Sequence, residues 1–173
     1  MLNRRLMAMV LFLPSMLAVA YGQKHDADVA IQINPLNQFH IPIGIPNSVD
    51  TLKTFVEAEG IFSPGFASYG VYVWVRDSAG RFYSPVQKAS GCKHGLADGG
   101  LLIPCSEWKA GNLLVRSEVS QVEEKTSAGE FQVVGLRIAL ANEQAVAQKV
   151  SLFVAIRAHG PAGWPIGAMS VEG

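Results

Sequence analysis

In three stretches of the C-terminal half the apolar residues fall at every second position. Leu113, Val115 and Val119 alternate with Arg116, Glu118 and Ser120; then come Val134, Leu136, Ile138 and Leu140; then Val150, Leu152, Val154 and Ile156. An extended chain sends successive side chains to opposite faces, so this spacing gathers the apolar groups on one side of a strand. A helix needs apolar residues three and four apart, and no stretch of the chain shows that pattern convincingly. Consecutive alternating strands joined by short polar connections predict an antiparallel meander. The expected fold class is all-β. Two packed antiparallel sheets, a β-sandwich, are the natural way to cover so many apolar faces.

Upstream, Tyr69-Gly70-Val71-Tyr72-Val73-Trp74-Val75-Arg76 is the clearest strand. It carries Val71, Val73 and Val75 on one face and Tyr72 and Trp74 on the other, so it should be central and covered on both sides. Asp77-Ser78-Ala79-Gly80 supplies turn residues, and Arg81 to Ser84 should return as the hairpin partner before Pro85. Thr54 to Ala58 reads as a strand ended by Gly60, and Val29 to Ile33 as a brief first strand. Residues 34–49 hold Pro35, Pro42, Gly44 and Pro46 and read as an extended loop, while residues 88–111 read as a glycine-rich connection. After Ala158 no closing element is evident. The sandwich is thus expected to be incomplete at its C-terminal end, as in a fragment or the opening module of a longer protein, with an uncovered edge strand.

The N-terminus has the order of parts found in a secretory signal peptide. Arg4-Arg5 is followed by the apolar run Leu6 to Leu13, and small residues stand near Ala20 and Gly22, where cleavage would fit. That run is too short for a spanning helix, and Pro14 breaks it. The expected organisation is a leader over residues 1–22, an extended segment over 23–50 and a sandwich module over 51–173. Export to the periplasm or the extracellular space follows, with no membrane span after cleavage.

Charge narrows the function. Fourteen basic and fourteen acidic residues balance, and no Lys/Arg cluster forms the stripe that phosphates require, so nucleic acid is not an expected partner. No glycine-rich loop follows a strand and opens a helix, and no serine sits in a nucleophile elbow, so neither a cofactor nor a catalytic residue is expected. Glu57 and Glu59 stand two apart, as a glycosidase pair might be sought, yet neighbours on one strand point the same way instead of across a cleft. A solvated strand face is the expected reading for them.

Cys92 and Cys105 are the two cysteines of the chain. In an oxidising compartment a disulfide between them would stabilise by about 3 kcal/mol in the chain-entropy model. Two unpaired thiols, or a metal set of Cys92, His94, Asp98 and Cys105, are the alternatives, although the spacing matches no common zinc motif. Tyr72, Trp74 and Tyr83 could form a flat aromatic platform on which a sugar ring stacks, or they could pack in a core or an interface.

Three segments carry a resemblance. Phe55-Val56-Glu57-Ala58-Glu59-Gly60-Ile61-Phe62-Ser63-Pro64-Gly65 is followed by Tyr69 to Val75 and by Cys92-Lys93-His94-Gly95-Leu96. Together they resemble the amino-terminal region of large exported bacterial proteins with a six-hairpin, (α/α)6 glycosidase-like domain, in which a β-sandwich precedes the helical barrel. Val134 to Asn142 with Val150 to Arg157 resembles the strand, Asn-containing turn and strand of such sandwiches. The resemblance spans most of residues 50–165. It implies carbohydrate-related work as a non-catalytic accessory module, with catalytic carboxylates on a companion barrel outside these 173 residues. The alternative is a stand-alone exported envelope protein that binds polysaccharide or a protein partner.

Overall fold

The computed structural model describes residues 40–97, 101–127 and 129–158. The expected leader, the strand expected at Val29 to Ile33 and the stretch after Ala158 lie outside the described residues. Within them the chain is all-β, with two antiparallel sheets and no α-helix.

Ten strands build the sheets: β1 (His40–Ile43), β2 (Thr54–Glu57), β3 (Phe62–Ser63), β4 (Gly70–Asp77), β5 (Phe82–Tyr83), β6 (Lys93–Leu96), β7 (Pro104–Ala110), β8 (Leu113–Thr126), β9 (Gly129–Asn142) and β10 (Val150–Arg157). Sheet A runs β1-β2-β3-β4-β10, with β5 also paired to β4, and sheet B runs β6-β7-β8-β9. Their inner faces share a core, the arrangement of a β-sandwich. Val73 and Val75 of sheet A pack with Trp108, Ala110, Leu113 and Val115 of sheet B. Ile43, Val56, Phe62 and Val71 meet Val119 in a second cluster. The expected central strand is thus β4, and the alternation in β8 lands as read, with Leu113, Val115 and Val119 buried.

The Asp77–Gly80 turn also forms as its residues dictate. Gly80 N–H donates to Asp77 O at 3.0 Å, and the Asp77 carboxylate accepts from Arg81 N at 2.9 Å and from Arg81 Nε at 2.7 Å. A polar tie joins the layers at the other end. Gln121 on β8 accepts from Thr54 N at 3.1 Å and donates to Leu52 O at 2.8 Å, so one amide satisfies backbone groups at the start of β2.

Three expectations are corrected. The meander holds for β8 and β9, which pair from Leu113↔Asn142 to Thr126↔Gly129, but the third strand leaves it. Strand β10 crosses to sheet A and pairs along its whole length with β4, from Val150↔Asp77 to Arg157↔Gly70. The connection starts with Asn142, whose side chain accepts from Gln144 N at 3.1 Å and donates to Val146 O at 2.8 Å, turning the chain out of the hairpin. The edge of β4 left open by β3 and β5 takes up an eight-residue ladder that a further strand on β9 would have left unmade.

The second correction is the glycine-rich connection, which contains β6 and β7. In β7 the inward residues are Pro104, Ser106, Trp108 and Ala110. Only one of these is a large apolar side chain, so the period-two signal was muted. The third is β1, which lies in the region read as loop. Pro42 fits there because β1 is an edge strand, where a missing N–H costs no ladder bond.

Candidate functional site

Because β4 alternates, the residues that leave the core emerge together on the outer face of sheet A. Tyr72 and Trp74 do so from β4, and register adds Ala155 opposite Tyr72 and Phe153 opposite Trp74. Phe82 joins them, since its partner is Arg76, which shares the Trp74 face. The rings form a continuous row. Centroids are 5.8 Å apart for Tyr72–Trp74, 5.7 Å for Trp74–Phe82 and 5.4 Å for Phe82–Phe153. At the Tyr72 end the Arg157 guanidinium stands 5.1 Å from the ring centroid, a cation–π contact.

Two of the three aromatic residues expected to act together are therefore adjacent, and the third is elsewhere. Tyr83 pairs with Val75 and so faces the interior, where it packs against the Val73–Trp108 cluster. Its hydroxyl donates to Asp77 Oδ2 at 3.0 Å. Phe82 and Phe153 take the place assigned to Tyr83. The two-residue offset rule would have found Phe82 had the register of the hairpin been known.

The row is not a flat platform. Successive ring planes meet at 49°, 66° and 32°, the tilted and edge-on packing that aromatic quadrupoles prefer among themselves. Tyr72 is fully buried, and it clusters with Ile61 and Val86, with Trp74 and Ala155 packed against them. The outer face of sheet B is the opposite in kind. Arg116 bonds Glu107 at 2.8 Å and Glu118 at 2.9 Å, Arg137 bonds Glu118 at 3.0 Å, and Lys109 bonds Glu143 at 2.7 Å. One sheet shows water its charges; the other carries its aromatic groups.

The acidic pair overturns another expectation. Glu57 and Glu59 are buried, at 1% and 4% exposure, and do not form a solvated strand face. Glu57 ends β2, and Glu59 lies in the following turn, which Gly60 closes at φ +83° by donating its N–H to Glu57 O at 2.9 Å. The turn is pinned to sheet B, since Ala58 O accepts from Ser106 Oγ at 2.6 Å and from Cys92 Sγ at 3.4 Å. That docking carries the carboxylates inside. Burial, followed by the charge of Glu59, pushes Glu57 up to about 7. A carboxyl group so enclosed offers no approach to a glycosidic bond.

Cys92 and Cys105 are free thiols, and alternation explains why they do not meet. Cys92 packs on the inner side against the core, whereas Cys105 sits between inward Pro104 and Ser106 and therefore points outward beside Glu107 and Arg116. The sheet itself separates them. For the metal alternative, no three His, Cys, Asp or Glu side chains converge among the described residues, and Asp98 lies outside them. Compared with known proteins, the chain matches no family model, no curated protein and no solved structure.

Proposed function

We propose that this chain is a non-catalytic β-sandwich accessory module of a secreted glycoside-hydrolase-like protein, which presents the outer face of sheet A to a companion helical-barrel domain. The observation that supports it is the aromatic row Tyr72–Trp74–Phe82–Phe153. Its tilted rings suit burial against apolar side chains better than stacking on a flat sugar ring, and it lies on the face opposite the one on which Arg116 and Arg137 pair with carboxylates. Trp74, Phe82 and Phe153 are half-buried, and partly covered aromatic groups of this kind are what a protein interface uses as anchors. The carbohydrate connection rests on the sequence resemblance, and export rests on the charge, apolar run and small residues of positions 1–22.

The test is co-production of the chain with an (α/α)6 glycosidase-like domain encoded in the same genome, followed by size-exclusion chromatography. A shared peak that Phe153→Glu abolishes supports the accessory role. The chain alone held on insoluble polysaccharide, with retention lost in Trp74→Ala, would instead favour the stand-alone binding protein and count against a companion domain.

A further inference from the structure

The two sheets end in four outer edges, and three of them carry a feature that discourages further pairing. Edge strand β1 contains Pro42 and begins at His40; β6 is four residues long and begins with Lys93; β9 carries Glu130 and Arg137. Short length, proline and charge are the usual guards of an open edge. Strand β10 is the least guarded: its one charged residue, Arg157, stands at its end, from Val150 to Ile156 it contains neither a charge nor a proline, and its side away from β4 pairs with no strand among the described residues.

Its inward face is also unfinished. Leu152, Val154 and Ile156 pair with Val75, Val73 and Val71, whose side chains are buried, yet they remain 41%, 39% and 37% exposed. Across the seam Leu140 of β9 is 40% exposed. A strand laid along β10 would cover these groups and satisfy the open backbone edge at once.

We propose that β10 is a homodimer interface, at which a second copy of this chain adds its own β10 in antiparallel register about a two-fold axis at Val154. The occupant follows from the strand's own pattern. A two-fold axis normal to the sheet keeps inward residues inward, so only registers that pair residues of equal parity are allowed. With Val154 opposite its copy, Leu152 meets the copy's Ile156 and Ile156 meets its Leu152, so each exposed apolar residue finds one of its own kind. On the outer face bulky Phe153 falls opposite small Ala155, and Ser151 opposite Arg157, so the two arginines do not oppose each other. Moving the axis to Phe153 sets two large rings directly against each other; moving it to Ala155 sets Phe153 against Arg157. The Val154 register is the self-complementary one. The two A sheets become one continuous sheet. The proposal stands apart from the accessory role, because it uses the edge of β10 and not the aromatic face.

The test is sedimentation equilibrium of the purified chain, together with directed cross-linking. Wild type is expected to sediment at twice the monomer mass. Opposed residues in an antiparallel ladder have Cα atoms about 4.5–5.5 Å apart, within disulfide range, so Val154→Cys should link two copies on mild oxidation. Ser151→Cys should not, because the two 151 positions lie six residues apart along the ladder, about 20 Å. Val154→Lys should weaken association by about tenfold or more, since it sets like charges face to face at the axis. Circular dichroism shows whether that variant folds, and if it does not, the cysteine pair decides. A wild-type monomer at high micromolar concentration, or equal cross-linking from positions 154 and 151, overturns the proposal.

Discussion

Glu57 Oε1 stands 3.0 Å from His40 Nδ1 on directly paired positions of β2 and β1, yet neither carboxylate oxygen of Glu57 is aligned in a hydrogen bond. A buried carboxyl group with so little support favours its neutral form, and Glu59 nearby adds to that preference.

The consequence is a pH dependence of stability. Burial pushes the Glu57 carboxyl up to about 7 in the fold, from an ordinary 4.5. The native state therefore holds this proton more tightly than the unfolded chain does, and the contribution to stability is complete below the unfolded value. It declines as pH rises from there through the folded value. Thermal melts should show the wild type losing stability between pH 5 and pH 8 relative to Glu57→Gln, which has no proton to lose. Parallel curves for the two proteins would remove the assignment.

Two glycines share a backbone angle and differ in what surrounds them. Gly60 and Gly80 both sit at φ +83°, but a Cβ at 60 would stand 2.4 Å from Ser117 Oγ and 3.1 Å from Ser106 Cβ, whereas at 80 the nearest atom is Arg76 Nη2 at 3.5 Å. Gly80→Ala should cost about 1 kcal/mol, the strain of the left-handed region alone. Gly60→Ala should cost about 3 kcal/mol, because the turn must also back away from sheet B. Urea denaturation measures both, and equal losses would refute the docking of the turn.

Thiol chemistry distinguishes the cysteines. Burial, aided by the charge of Glu59, pushes Cys92 up to about 11, so at pH 8 it holds almost no thiolate. Iodoacetamide on the native protein should label Cys105 and spare Cys92, and both should label in denaturant without reductant. Mass spectrometry of tryptic peptides reads the outcome. Rapid native labelling of Cys92, or a 92–105 cross-link, would contradict its inward packing.

Core depth from the centre of the sandwich to its open seam predicts a gradient. Trp108, at 1% exposure, bridges the layers, and Trp108→Ala should cost about 3–5 kcal/mol. Leu152→Ala on the open seam of β10 should cost less than about 1.5 kcal/mol in the monomer, because much of its side chain already meets water. Chemical denaturation at low protein concentration measures the difference. Similar losses would mean that the seam is closed.

Much of the architecture was legible before any coordinates. The alternation in β8, the two-faced apolar strand β4 and the Asp77–Gly80 turn each act locally, through the geometry of one strand or four residues. What escaped notice had a weak local signature. Strand β7 buries Pro104 and Ser106 where alternation favours valine, and Tyr83 looks equivalent to Phe82 because nothing in the chain says which residue of a short hairpin strand faces outward.

The sequence by itself determined that this chain is β-structured and which residues of its long strands turn inward, because side-chain alternation is a property of the extended backbone and needs no partner. Tertiary structure alone decided which strand lies beside which. It moved β10 from the meander to β4, and with it brought Phe153 to Trp74. It also enclosed Glu57 and Glu59 and set Cys92 and Cys105 on opposite faces of one sheet. Those outcomes depend on register and on the contact between layers, where residues tens of positions apart compete for the same edge, and no local pattern records which one wins.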